Sequence, residues 1–311
     1  MAKNNRTALF ADGALFIMAL IWGSGFVFMK SSLDSYTPIQ LISIRMLIGA
    51  IALALFNVKR LLKMNKSELL AGFVISLSLF GGFLFQTMGL KSTSAGNSAF
   101  LTATYVVMVP MIVILFSRKK PDIFNIIAAF LMLIGIFLLT SVSGGPFIKI
   151  GDVYTLLCAF FFAVQIVLID HYTAKHDPMV LAILQMFFAS LIGFAAMLFT
   201  GDYPILFVQG SIPTVLYLGI IASGVTFMIQ NVAQKYTSPT HAGILMSLES
   251  VFGCLLGILL LGEIMTVKIA IGCAVIFAAL LIAETKLSFF MRYTKKKLTT
   301  EQTPSAADES C

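Results

Sequence analysis

A chain of 311 residues that is 59% apolar and only 11% charged, with a mean hydropathy of +0.97, has too little polar surface to cover itself in water. This excludes a soluble globular domain and points to an all-α integral membrane protein. The net charge of +7 would suit an anionic partner, but its distribution along the chain accounts for it without nucleic acid.

A helix needs about 20 apolar residues to cross a ~30 Å hydrocarbon core. Such runs are predicted at 12–30, 38–57, 68–90, 96–116, 123–142, 152–172, 178–200, 213–235, 240–262 and 264–285, so ten transmembrane helices are expected. The first is too long for a signal peptide, and Trp22-Gly23-Ser24-Gly25 continues into apolar chain rather than a cleavage site. Pro38 and Pro178 open the second and seventh runs, where a missing N–H costs least. Pro110 alone lies inside a run, which predicts a kink in the fourth helix at that point. Asp12 and Asp152 fall at helix starts, where capping is expected. Glu263, close to the start of the tenth helix, is expected to interact with a helix amino terminus. Beyond Lys297 the chain turns polar and reads as a disordered tail.

The ten runs divide into two similar sets of five. One constant shift places Gln86 on Gln230, Lys91 on Lys235, Thr93 on Thr237, Ser94 on Ser238, Asn97 on His241 and Tyr105 on Glu249. A slightly shorter shift places Asp12 on Asp152, Pro38 on Pro178 and Met46 on Met186. An odd number of crossings per set turns the second copy upside down, and inverted repeats are how many secondary transporters build one midplane site open alternately to either side. The expected organisation is a cytoplasmic segment 1–11, a first five-helix repeat 12–142, an inverted second repeat 152–285 and a basic, then disordered, cytoplasmic tail 286–311.

With the amino terminus inside, only Lys30, Lys91, Lys149 and Lys268 fall on the outer side and Arg45 within a span; every other lysine and arginine is cytoplasmic. This strong positive-inside bias predicts a multi-pass plasma-membrane protein with both termini in the cytoplasm. Cys158, Cys254 and Cys273 lie in apolar runs and Cys311 ends the chain, with no CxxC spacing, so neither a disulfide framework nor a metal site is indicated. There is no P-loop for nucleotide and no cofactor motif.

Three stretches carry a family likeness: Ile21-Trp22-Gly23-Ser24-Gly25-Phe26 with Arg45; Tyr236-Thr237-Ser238-Pro239-Thr240-His241-Ala242; and Ser247-Leu248-Glu249-Ser250-Val251-Phe252 with Leu260-Leu261-Gly262-Glu263. They resemble the drug/metabolite transporter superfamily in its ten-helix bacterial form with two EamA-type domains. The chain departs from that pattern at Ser250, where the family usually has proline, and at Arg118-Lys119-Lys120 in place of Gly-Glu-Arg. The resemblance implies two inverted five-helix bundles around a central cavity, in a carrier for small metabolites that is often an exporter. Amino acids or related compounds are the favoured substrates, with drug-like compounds as the alternative.

Several residues could line such a cavity. Glu249 stands mid-span, where a charge costs at least ~3 kcal/mol. It is expected to face the cavity, pair with a cation or be protonated, which makes it the candidate for coupling to protons; a structural hydrogen bond is the other reading. Gly253 and Gly257, on the same stripe, predict close helix packing beside it. Arg45 either attracts a substrate carboxylate or extends to the interface, the second being preferred. Gln86 and Gln230 are a symmetric amide pair, and Asn97, Thr102, Tyr105, Gln165 and Asn231 are further lining candidates. His241 is either a lining group or an interfacial histidine bonded to a loop carbonyl. Trp22, the sole tryptophan, lies away from the interfacial belt and is assigned to the cavity, whereas Phe26 and Phe28 are as readily packing residues. An integral-membrane transferase would need clustered acids or histidines at one membrane face, and His171, His176, His241 and Glu249 do not form one. A channel lacks its charge ring or carbonyl filter.

Overall fold

The computed structural model describes residues 5–117, 123–140, 149–203, 208, 210–237 and 239–285, and every regular element among them is helical. The first part comprises α1 (Asn5–Ser32), α2 (Pro38–Phe56), the single turn α3 (Val58–Leu61), α4 (Lys66–Leu90), α5 (Ala95–Thr102), α6 (Tyr105–Ser117) and α7 (Ile123–Thr140). The second comprises α8 (Ile150–Thr173), α9 (Pro178–Thr200), α10 (Ile212–Leu216), a π-helical segment (Tyr217–Val225), α11 (Thr226–Gln234), α12 (Pro239–Ser247), α13 (Glu249–Leu261) and α14 (Val267–Thr285). Seven stretches among the described residues, from Leu9–Ser32 to Ile212–Gln234, are long and apolar enough to cross a membrane; Leu245–Leu261 and Val267–Ala279 are shorter apolar helices. The expected basic tail lies outside the described residues.

Short polar motifs set the helix limits. Thr37 and Gln40 close a capping box over α2, Thr37 N donating to Gln40 Oε1 at 2.9 Å, with Pro38 in the first turn. Asn65 and Glu68 do the same for α4, at 2.9 and 3.0 Å. Asp177 Oδ1 accepts Met179 N at 2.8 Å ahead of α9. Asp152 sits in the first turn of α8 and accepts Lys149 N at 3.3 Å, as expected of a capping residue. Asp12 does not cap: α1 begins at Asn5, so Asp12 is two turns inside it. Left-handed glycines, Gly201 (φ 73°) and Gly262 (φ 64°), stop α9 and α13.

Three of the expected continuous runs are interrupted. The fourth breaks between Thr102 and Tyr105, and Pro110, where a kink is expected, lies inside α6. The ninth breaks at Leu248, the position matched by Thr104 under the first repeat shift. At each break a hydroxyl bonds back to a backbone carbonyl: Thr104 Oγ1 donates to Leu101 O and Ser250 Oγ to Ser247 O, both at 2.7 Å. Ser250, the departure from the family's proline, thus serves the break directly. The eighth run widens into the π segment, where Ser223 Oγ donates to Leu218 O at 2.7 Å. Here α2 crosses with backbones touching: a Cβ added to Gly49 would lie 2.8 Å from the Gly219 carbonyl oxygen.

The helices pack as α2 against α9 and the π segment, α4 against α8 and α9, α1 against α13, α5 and α6 against α8, and α7 against α14. Polarity runs inside out relative to a soluble protein. Phe56, Phe130, Phe137, Leu198, Phe199 and Leu259 are exposed, while Arg45, Gln86, Gln165, Gln185, Gln230 and Glu249 are buried. An apolar outer surface around a polar interior suits hydrocarbon as solvent.

Candidate functional site: a sealed central cavity

At the centre of the bundle lies a narrow cavity of about 30 Å³, where seven helices bring their side chains together. Its polar lining is Arg45 from α2, Gln86 from α4, Tyr105 from α6, Gln165 from α8, Gln230 from α11 and Glu249 from α13. Trp22, Phe26 and Met29 from α1, Phe83 from α4, and Phe162 and Ile166 from α8 form the apolar walls. The polar groups are closed off from the surroundings, with Arg45 2%, Glu249 3% and Gln230 0% exposed.

Arg45 does not extend to the interface. It points inward because the π segment supplies it with acceptors: Nε donates to Ser223 Oγ at 3.0 Å and Nη2 to the Ala222 carbonyl at 3.3 Å. Nη1 approaches Met29 Sδ at 3.4 Å, and the guanidinium lies 4.5 Å from the Phe83 ring centroid. All these partners are neutral. Glu249 opens α13, where the helix dipole favours a carboxylate. Its carboxyl lies beside the buried Tyr105 hydroxyl. The ion pairs among the described residues are Lys30–Glu263 and Arg60–Asp177, so Arg45 and Glu249 do not neutralise each other. Gly253, one turn beyond Glu249, permits the close packing expected there: a Cβ on it would come within 2.8 Å of Ala99 Cβ.

The amides form a network. Gln165 Nε2 donates to Gln185 Oε1 at 3.1 Å and to Gln230 Oε1 at 3.5 Å, and Gln230 Nε2 returns to Gln165 Oε1 at 3.4 Å. Trp22 is fixed by its indole N–H, which donates to Thr226 Oγ1 at 2.9 Å and to the Ala222 carbonyl at 3.2 Å. Trp22, Gln86, Tyr105, Gln165, Gln230, Arg45 and Glu249 are therefore gathered at one place. Gln185, Ser223 and Thr226, which hold that lining in position, were not among the candidates from sequence. The second repeat shift places Arg45 on Gln185, a match that would have singled out the glutamine.

Other candidates lie elsewhere. Asn97 is in the first turn of α5, its N–H bound by Ser94 Oγ at 3.0 Å, and faces a depression lined by Lys30, Lys91 and Lys149. Thr102 is buried against Cys158, 3.8 Å from its Sγ. Asn231 turns back to the Phe227 carbonyl of its own helix at 2.8 Å. His241 belongs to α12, and its side chain lies outside the described residues. Glu263 does meet a helix amino terminus, but that of α5 rather than the tenth run. It accepts Ala95 N at 2.6 Å and Gly96 N at 3.0 Å, and pairs with Lys30 at 3.2 Å.

Two depressions lie at opposite ends of the bundle. The first, at the amino end of α8, contains Lys30, Lys91, Lys149 and Glu263; the second, at its carboxyl end, contains Arg60, Thr173, Asp177 and Lys235. The 24 residues of α8 separate them by about 36 Å at 1.5 Å per residue.

An apolar-surfaced helical bundle with a closed polar cavity midway between two end depressions is the construction of a multi-pass membrane transporter. The chain belongs to the EamA-like transporter family, whose model matches residues 9–141 and again 149–285. An uncharacterized transporter of Archaeoglobus fulgidus is 33% identical over 282 residues, spanning 90% of this chain and 87% of that protein. The uncharacterized transporter YdfC of Bacillus subtilis is 30% identical over 165 residues, 51% of this chain and 53% of its own. Among solved structures, one crystal structure at 17% identity superposes with a TM-score of 0.68, covering 89% of this chain and 97% of the other; it shares the fold.

Proposed function

We propose that this chain is a secondary carrier that moves a small amphipathic organic solute, an amino acid or related metabolite, by alternating access around the central cavity. It crosses the membrane ten times as two inverted five-helix halves, 12–142 and 152–285, with both termini cytoplasmic. Export is the direction that family likeness favours. The observation that carries this reading is the composition of the cavity wall, which comes in matched pairs from the two halves. Under the repeat shifts Trp22 corresponds to Phe162, Gly25 to Gln165, Phe26 to Ile166, Gln86 to Gln230 and Tyr105 to Glu249, and all ten line one space. Packing supports it as well. Exchanging the halves maps the contact of α2 with the π segment onto that of α9 with α4, and the contact of α1 with α13 onto that of α8 with α6. Lys91 and Lys235, equivalent by sequence, line opposite end depressions.

Chemistry narrows the solute. The neutral setting of Arg45 leaves its charge for a carboxylate, Glu249 can receive an ammonium group or a proton, and the aromatic walls suit an apolar side chain. Only one arginine faces the space, which argues against a highly phosphorylated solute. Glu249 is the proposed site of proton exchange. In proteoliposomes of the purified chain, saturable counterflow of a labelled amino acid or related metabolite is the expected result. Solute conversion without flux, or flux that does not saturate, would favour an enzyme or a channel instead.

A further inference from the structure

Below the cavity, toward the end that carries Arg60 and Lys235, the interior is not apolar. Gln185 of α9 and Asn231 and Gln234 of α11 are all buried. Gln234 Nε2 donates to the Ile166 carbonyl at 3.2 Å, and Ile166 itself lines the cavity. Yet Gln185 Nε2, Asn231 Oδ1 and Gln234 Oε1 have no hydrogen-bond partner; they are three of the five such atoms among the described side chains. An amide cluster whose task is to bind helices together would be expected to pair its members fully, because an orphaned donor or acceptor in a low-dielectric interior opposes the folded state. These three instead follow one another from Gln165 and Gln230, in the cavity wall, toward the end depression, which begins at Met179, Val232 and Lys235 on the same two helices. The π segment, a form of turn frequent at functional sites, immediately precedes α11.

We infer that Gln185, Asn231 and Gln234 line the closed half of the solute route between the cavity and the Arg60 end, and that their unpaired atoms bind water and the solute's polar groups when this half opens. The inference rests on the carrier reading and gives it a specific cytoplasmic opening, the entrance for an exported solute. It also assigns that opening a chemistry: between the charged rim of Arg60 and Lys235 and the cavity, the wall is neutral, hydrogen-bonding and free of fixed charge. Such a seam passes zwitterions and neutral amides while offering a net anion or cation no counter-charge.

The test is accessibility to a membrane-impermeant trimethylammonium methanethiosulfonate. Asn231→Cys and Gln234→Cys are placed singly in a background with Cys158, Cys254, Cys273 and Cys311 replaced by alanine, and labelled in vesicles of each orientation. Lys235→Cys and Asn97→Cys serve as controls for the two rims. Asn231→Cys and Gln234→Cys should react from the Lys235 side, at about 1–10% of the Lys235→Cys rate, as expected for a minor open state. If both rims label from opposite sides while neither seam position labels from the Lys235 side, the seam is structural; the inference is overturned and the carrier reading stands. If both rims label from one side, the carrier reading falls with it. Should a cysteine variant fail to fold, Asn231→Leu and Gln234→Leu decide the matter. Each removes an unpaired atom together with one amide donor to a backbone carbonyl, so the two effects oppose and thermal stability should change little while counterflow slows at least about tenfold. Unchanged counterflow in both would refute the inference.

Discussion

Replacing Arg45 with leucine is expected to lower solute counterflow at least about a hundredfold without loosening the fold. The guanidinium is buried, and its partners are a hydroxyl, a backbone carbonyl, a thioether and an aromatic ring. A permanent cation in such surroundings is not stabilised as it would be in water, and no described carboxylate lies within ion-pair distance. Supplying its missing anion is the strongest single interaction that a solute could make in this cavity. Removing one partner of a buried charge pair typically costs ~3–5 kcal/mol, which sets the hundredfold figure. Leucine leaves no buried charge behind, so the thermal unfolding midpoint should stay or rise. Arg45→Lys should not restore transport, because an ammonium cannot reach Ser223, Ala222 and a bound carboxylate together. Counterflow within a few-fold of the parent would assign Arg45 a purely structural part.

Glu249→Gln should abolish uptake driven by an imposed pH gradient while sparing solute exchange. Glutamine keeps the size and one acceptor of the carboxyl but carries no proton in either state. The side chain begins α13 beside Tyr105, in a cavity that contains Arg45 but is not ion-paired to it. If the carboxyl takes up a proton on one side of the cycle and loses it on the other, the variant becomes an exchanger that ignores the gradient. Proteoliposomes with an alkaline or acidic interior separate the two activities directly. Gradient-driven uptake at the parent rate would remove Glu249 from the coupling step, and loss of exchange too would move it into solute binding.

Much of this was legible along the chain, for identifiable reasons. Helix starts were visible because caps are local: Thr37-Pro38-Ile39-Gln40 and the proline after Asp177 announce themselves within one turn. The cavity wall was visible because a membrane interior penalises stray polarity, so Gln86, Gln165, Gln230 and Glu249 stood out against their apolar runs. The breaks at Thr102–Tyr105 and Leu248 were hidden, because hydropathy passes through them unchanged; the packing of α5 against α8 and α13 accompanies them. Pro110 marks no break, since α6 continues through it. Arg45 was misjudged because distance along a helix says how far a side chain lies from the interface, not which way it points. The acceptors at Ala222 and Ser223 that turn it inward are far away in sequence and belong to a π segment with no recognised signature. Asn97 and Thr102 had the right polarity, but the faces of their helices were set by packing rather than by period, and Asn231 lies next to the cavity wall without forming part of it.

The cavity contains the chain's sole tryptophan, and its indole N–H is bound to Thr226 and Ala222 at the rim of the Arg45 site. A solute seated there must alter the surroundings of Trp22, so titrating a counterflow-active solute into the purified protein and following tryptophan emission tests the cavity as the site of transport. A saturable change should appear, half-complete at the concentration that half-saturates counterflow and absent in the Arg45→Leu variant. Unaltered emission with a solute that is demonstrably transported, or the same change in the Arg45→Leu variant, would contradict it.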